Sequence, residues 1–216
     1  MSFKITKVIL GGLFRVLIRL EVKGKENVPQ SGPVIACCNH LHMIDPVLHI
    51  LSILPRDSIF MAKEELFRFW PFPLPAILMR IAEAFPVRRR GIPRAGEEAL
   101  QRAEKVLAEG LVLGIYPEGK RSQTGRLKTA YHGTASIALR SGAPIVPVSI
   151  CGTEKLTGVG WLCRPKVNIN FGQPFTLPAV EGELTTSKLT PSTDYIMKQL
   201  AAILPPEYQG KYKDQV

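Results

Sequence analysis

An imidazole and a carboxylate stand five residues apart in Asn39-His40-Leu41-His42-Met43-Ile44-Asp45-Pro46, directly after the apolar run 33–38. A turn followed by the start of a helix would bring Asp45 back onto His40. A carboxylate on one ring nitrogen fixes the tautomer and leaves the other nitrogen free to take a proton. That makes a general base for a hydroxyl, a device that contributes about 10²–10⁴ in rate. The spacing also allows a plainer reading, in which Asp45 before Pro46 caps a helix. His40 and His42 lack the further ligands that a metal site needs, so neither a metal nor a tightly bound cofactor is expected.

Two basic clusters could hold an anion. Phe85-Pro86-Val87-Arg88-Arg89-Arg90-Gly91 offers planar donors suited to phosphate, or else a solvated loop. Tyr116-Pro117-Glu118-Gly119-Lys120-Arg121-Ser122 follows another apolar run and, with Gly114, nearly matches a P-loop. The match fails because Arg121 stands where Ser or Thr would hold Mg²⁺, and Glu118 would set a carboxylate against the phosphates. Nucleotide binding is therefore rejected, while a glycine turn bearing Lys120 and Arg121 can still hold a single phosphate. No Gly-x-Ser-x-Gly elbow occurs. A base without an enzyme nucleophile implies direct attack by the substrate's own hydroxyl.

These residues need strand ends to carry them. Apolar runs at 33–38, 59–62, 111–116 and 145–150 read as buried strands. Pro147 argues that the last lies at an edge or a bulge. Residues 167–171 alternate, so that strand has one polar face. Helical patterns fill 93–108, 130–140 and 192–204, with Gly110 and Gly142 as stops for the first two. Strands alternating with helices predict an α/β fold with a mostly parallel, mixed sheet flanked by helices. Ligands in such sheets bind beyond the carboxyl ends of the strands, where His40 and the Glu118 turn fall.

Two stretches stand apart. Residues 3–20 form an amphipathic pattern in which Lys4, Lys7, Arg15 and Arg19 share an arc of about 120° and no acid occurs before Glu21. That suits a helix in a membrane interface, or one packed on the core. Residues 66–85 hold Phe67, Trp70, Phe72, Leu78 and Phe85 among Pro71, Pro73 and Pro75. They could be core, a membrane-dipping loop or the wall of an apolar site. The division expected is an interface helix over 1–22 and a catalytic domain over 23–216.

Bulk properties agree. The 216 residues, 45% hydrophobic and 21% charged, are globular in composition. A net charge of +10 favours anionic partners. The four cysteines have no metal-finger spacing and read as thiols in a reducing compartment. No stretch approaches the roughly 20 apolar residues of a spanning helix, and the N-terminal stretch lacks a small-x-small cleavage site. The expected location is the cytoplasmic face of a membrane, peripheral or monotopic.

Taken in order, Asn39-His40-x4-Asp45, Phe85-Pro86-Val87-Arg88-Arg89, Pro117-Glu118-Gly119-Lys120-Arg121-Ser122 and Ala143-Pro144-Ile145-Val146-Pro147-Val148 resemble the four motif blocks of the glycerolipid acyltransferases. They are most similar to those of the 1-acyl-sn-glycerol-3-phosphate acyltransferases. The resemblance implies acyl transfer from acyl-ACP or acyl-CoA to lysophosphatidic acid at an anionic membrane surface, with no nucleic acid partner. It makes His40 the base and Asp45 its orienting partner. It gives Arg89, Glu118, Gly119 and Arg121 to the acceptor's phosphate region, with Lys120 beside them, and makes the 66–85 stretch a candidate acyl-chain wall. His42 stands where the family commonly has a small residue, and Lys120 stands in place of Thr. Glycerol 3-phosphate, another lysophospholipid, or a non-enzymatic lipid-binding module are the alternatives.

Overall fold

The computed structural model describes residues 11–63, 84–87 and 95–215. Its strands are β1 (Arg19–Lys23), β2 (Val34–Cys38), β3 (Ser58–Lys63), β4 (Phe85–Val87), β5 (Val112–Ile115), β6 (Ile145–Cys151) and β7 (Lys166–Phe171). Its helices are α1 (Asp45–Ile53), α2 (Ala95–Ala108), α3 (Gly133–Ser141) and α4 (Thr186–Ala202). The seven strands form one sheet in the order β1-β7-β6-β2-β5-β3-β4. β6 and β7 pair antiparallel, and every other neighbouring pair is parallel. The expected mostly parallel, mixed α/β sheet is present.

The sheet is covered on both faces, which explains why its central strands read as continuous apolar runs. Side chains alternate across a strand. In β2, Ile35 and Cys37 face α2, α3 and α4, packing with Ala103, Leu107, Ile137 and Met197. Val34, Ala36 and Cys38 face the other way, with α1 and the N-terminal segment, among Phe14, Ile18, Val47 and Leu48. In β7, Val167, Ile169 and Phe171 are buried while Lys166 and Asn168 are exposed, the one-sided pattern its sequence carries.

Three details differ from the sequence reading. The helix predicted over 3–20 stops at Leu17, and residues from Arg19 form β1. Parallel pairing with β7 and the 2.9 Å ion pair between Lys166 and Glu21 override the helical pattern, as sheet context often does. Phe14 and Ile18 are buried in the core, while Leu13 and Val16 on the same segment are exposed. The last helix begins at Thr186 and runs through Pro191. Pro147 is not at an edge, since β6 has β2 and β7 on its two sides. The β7 ladder halts at Val148–Phe171 and resumes only as a bridge between Ile145 and Phe175. The extra residue on the 171–175 side is a bulge, and Pro147, with no N–H to give, sits opposite it. None of the described helices is long and apolar enough to cross a membrane.

Candidate active site

The site is assembled where β2 and β5 end side by side. β2 gives way to Asn39, His40 and a tight turn, and α1 starts at Asp45 with Pro46 in its first turn. Asp45 is fully buried, and its Oδ2 accepts three hydrogen bonds. They come from the Leu41 backbone N–H at 2.7 Å, the His42 backbone N–H at 2.8 Å and His40 Nδ1 at 2.8 Å. The carboxylate thus shapes the turn and orients the ring together. With Nδ1 committed, Nε2 is the nitrogen that can take a proton, on a ring whose side chain is 17% exposed.

The turn is held from three further directions. The Asn39 side chain donates to the Ile150 carbonyl at 2.8 Å and accepts the Ile150 N–H at 2.7 Å, tying β2's exit to β6. The Ser122 N–H donates to the His40 carbonyl at 2.7 Å. The Tyr116 ring stacks on the His40 ring, centroids 4.0 Å apart and planes 18° apart, and Phe60 stacks behind Tyr116 at 5.4 Å. Gly114 makes room for Phe60, since any Cβ there would enter its ring. The Tyr116 hydroxyl is buried and finds no hydrogen-bond partner among the described residues. Burial, with the Cys38 and Asp45 charges adding, pushes its pKa well above the ordinary phenol value.

The Tyr116–Gly119 turn closes with the Gly119 N–H on the Tyr116 carbonyl at 2.9 Å, and Gly119 has φ 69°, a conformation that favours glycine. Glu118 is only 2% exposed and points inward. It accepts the Lys128 N–H at 3.0 Å, and the His40 backbone N–H also favours its charged form. Desolvation dominates and lifts its pKa to about 7. Glu118 therefore ties its own turn to the 128 segment from beneath. Lys120 and Arg121 are exposed. His42 is half-buried. Its Nδ1 accepts the Ile44 N–H at 3.4 Å, as a serine oxygen does in a turn. Burial holds its pKa below the ordinary histidine value, with Arg121 adding to the effect.

Of the other predicted residues, Phe85 lies in β4, half-buried against the core. Arg89, Phe67, Trp70, Phe72 and Leu78 lie outside the described residues. Sequence reasoning missed Asn39, Tyr116 and Ser122 as positioning groups. Their partners are distant in the chain, and only the motif that contains each of them could have drawn attention to it. The Cys37 and Cys38 thiols are buried, and burial raises their pKa values, so neither is a ready nucleophile.

A histidine oriented by a buried carboxylate stands at the carboxyl edge of an α/β sheet and beside a basic turn, an arrangement chemically able to accept a proton from a hydroxyl. The sequence profile described as acyltransferase matches residues 19–151, and the chain belongs to that family. It is 33% identical over 137 residues to a 1-acyl-sn-glycerol-3-phosphate acyltransferase of Borreliella burgdorferi, covering 63% of this chain and 53% of the relative. To the Bacillus subtilis protein of the same description it is 32% identical over 157 residues, 72% of this chain and 73% of the relative. The crystal structure of the 1-acyl-sn-glycerophosphate (LPA) acyltransferase PlsC from Thermotoga maritima superposes with TM-score 0.63 at 26% identity. That match covers 90% of this chain and 76% of that one. The chain spans about half the length of the Borreliella protein and 40% or less of several plant relatives.

Proposed function

We propose that the protein transfers a fatty acyl group from acyl-ACP or acyl-CoA to the sn-2 hydroxyl of 1-acyl-sn-glycerol 3-phosphate, giving phosphatidic acid for phospholipid synthesis. The observation that carries this reading is the His40–Asp45 pair at 2.8 Å, set between Tyr116 and the Lys120-Arg121 turn. The names of the relatives support the choice of acceptor.

In this reading His40 Nε2 takes the proton as the substrate oxygen attacks the thioester carbonyl. Asp45 keeps the ring aligned and offsets the charge of the imidazolium. The tetrahedral intermediate collapses by breaking the C–S bond, and the proton passes from Nε2 to the departing thiolate. The new ester and a free thiol are the products, and no further reactant enters the balance. Lys120, Arg121 and Arg89 hold the phosphate, which places the hydroxyl beside the base. Gly119 gives the turn its shape. Phe67, Trp70, Phe72, Leu78 and Phe85 form the acyl-chain wall. The acceptor resides in a bilayer, so the protein works at an anionic membrane surface on the cytoplasmic side, with the N-terminal segment as an interface helix and the remainder as catalytic domain.

The test is thiol release from acyl-CoA and acyl-ACP over a panel of lysophosphatidate, glycerol 3-phosphate and lysophospholipids with larger headgroups. Release dependent on lysophosphatidate and lost in His40→Ala supports the reading. Release with glycerol 3-phosphate alone would reassign the acceptor. No release with any pair would leave a lipid-binding module.

A further inference from the structure

A six-residue 3-10 helix, Gly158–Cys163, lies between β6 and β7. It carries Val159 and Leu162, 77% and 85% exposed, and among the described residues no other large apolar side chain is as open to solvent. Such side chains are ordinarily covered by a partner when they cluster. The segment is also anchored. Arg164 closes it at φ 48°, the one positive φ outside glycine among the described residues. The Arg164 guanidinium donates to the Arg15 carbonyl at 3.0 Å, and Arg19 Nε donates to the Arg164 carbonyl at 3.2 Å. These bonds hold the segment against the N-terminal helix.

Trp161 connects this segment to two places. Its ring lies 6.4 Å from that of Phe14 on the N-terminal helix and 6.5 Å, edge-on, from that of His42 in the catalytic turn. On the same helix Leu13 and Val16 are 50% and 67% exposed, three residues apart and so on one face. Arg15, next to Val16, and Arg164, two residues past Leu162, are exposed, as is Arg19, which is hydrogen-bonded to Arg164. Apolar tips accompanied by arginines complement an anionic lipid surface, where the tips enter the acyl boundary and the cations meet the headgroups.

We propose that Val159 and Leu162 form a membrane-inserting wedge which, with Leu13 and Val16, docks the protein on an anionic bilayer next to the His42 side of the catalytic turn. The proposal rests on the acyl-transfer reading only in taking a bilayer lipid as acceptor. Docking through this wedge sets the headgroup layer beside the basic turn, so an acceptor's phosphate reaches Arg121 without leaving the membrane.

The experiment uses the full chain with Val159→Asp and Leu162→Asp combined. Both positions are solvent-exposed, and thermal unfolding verifies the fold. The partition coefficient onto phosphatidylglycerol–phosphatidylcholine vesicles should fall about tenfold or more, from the apolar area withdrawn from lipid. Turnover on bilayer lysophosphatidate should fall with it, and turnover on a short-chain soluble acceptor should hold. Cys163 is exposed while the other three cysteines are buried, so a maleimide dye reports the wedge directly. Its emission should shift to the blue on vesicles and be quenched by brominated lipid. Unchanged partitioning of the double variant, or a Cys163 dye that stays in water, overturns the proposal. So does a solution dimer that the substitutions break while vesicle binding persists, which would make the patch a contact between copies. Absence of turnover by the wild-type protein on the soluble acceptor refutes the acyl-transfer reading instead, and leaves the vesicle result to judge the wedge.

Discussion

Replacing Asp45 by Asn separates two jobs that one carboxylate performs. Oδ2 accepts from two backbone N–H groups and from the His40 ring. An amide oxygen can still accept, but without charge. A charge-assisted hydrogen bond contributes about 1.5–3 kcal/mol against about 1 for a neutral one. The two backbone bonds together should therefore lose about 2 kcal/mol, a fall of roughly 4–8 °C in Tm for a chain of this size. His40→Ala leaves both backbone bonds to that oxygen in place and removes the ring's bond and its stack on Tyr116, so its Tm should fall less. Activity should rank the other way. His40→Ala removes the base and should cost at least the 10²–10⁴ range typical of a positioned base, roughly speaking. Asp45→Asn keeps an imidazole that is poorly oriented and should retain more turnover. The assay is thiol release at saturating donor, with differential scanning calorimetry on both variants. An Asp45→Asn protein with wild-type Tm would refute the part given to the carboxylate in shaping the turn. Substantial turnover by a verified His40→Ala protein would refute the base.

Further outcomes follow from neighbouring residues. Arg121→Ala and Arg89→Ala should raise the KM for lysophosphatidate about tenfold to a hundredfold, from one charge-assisted bond each, with little change for the donor; equal effects on both substrates would count against the phosphate site. Glu118, with its pKa lifted from 4.5 to about 7, binds its proton more tightly folded than unfolded. Its contribution to stability therefore falls as pH rises from 4.5 to 7 and is level above that. Glu118→Gln should remove this slope and gain up to roughly 3 kcal/mol above pH 7, less whatever the amide loses at Lys128; parallel Tm–pH curves for the two proteins would refute the buried carboxylate's cost. Gly114→Ala should displace Phe60 and, through it, the Tyr116–His40 stack, costing about 1–3 kcal/mol and lowering kcat; a neutral variant would dismiss the stack as a positioning device. Deleting residues 1–12 spares Phe14 and Ile18, so the protein should stay folded yet bind anionic vesicles less in co-sedimentation; full retention would discard the anchor.

The strands that build the site were legible because both faces of the sheet are covered. A strand buried on two sides must be apolar throughout, and β2, β5 and β6 announce themselves that way. β1 and β4 did not. β1 is five residues with mostly exposed side chains, and β4 is three residues long. Their strand character comes from backbone bonds to β7 and β3, which leave little mark on side-chain pattern.

The same division runs through the site. His40 and Asp45 are five residues apart, and a turn at a helix start is enough to join them, so their types and spacing determine the pairing. The glycine turn of Glu118 and Gly119 is local in the same sense. What holds the His40 ring in place is not local. Asn39 reaches Ile150 across 111 residues, Ser122 binds the His40 carbonyl, and Tyr116 stacks on the ring only because β2 and β5 are neighbours in the sheet. The sequence could say that Glu118 carries a carboxylate near a phosphate-like turn. Only the tertiary structure decides that it points inward, because the direction of a side chain depends on which backbone amides the folded chain brings to meet it. The exposed pair Val159 and Leu162 was equally silent, since a short apolar segment reads the same whether the fold buries it or leaves it in water.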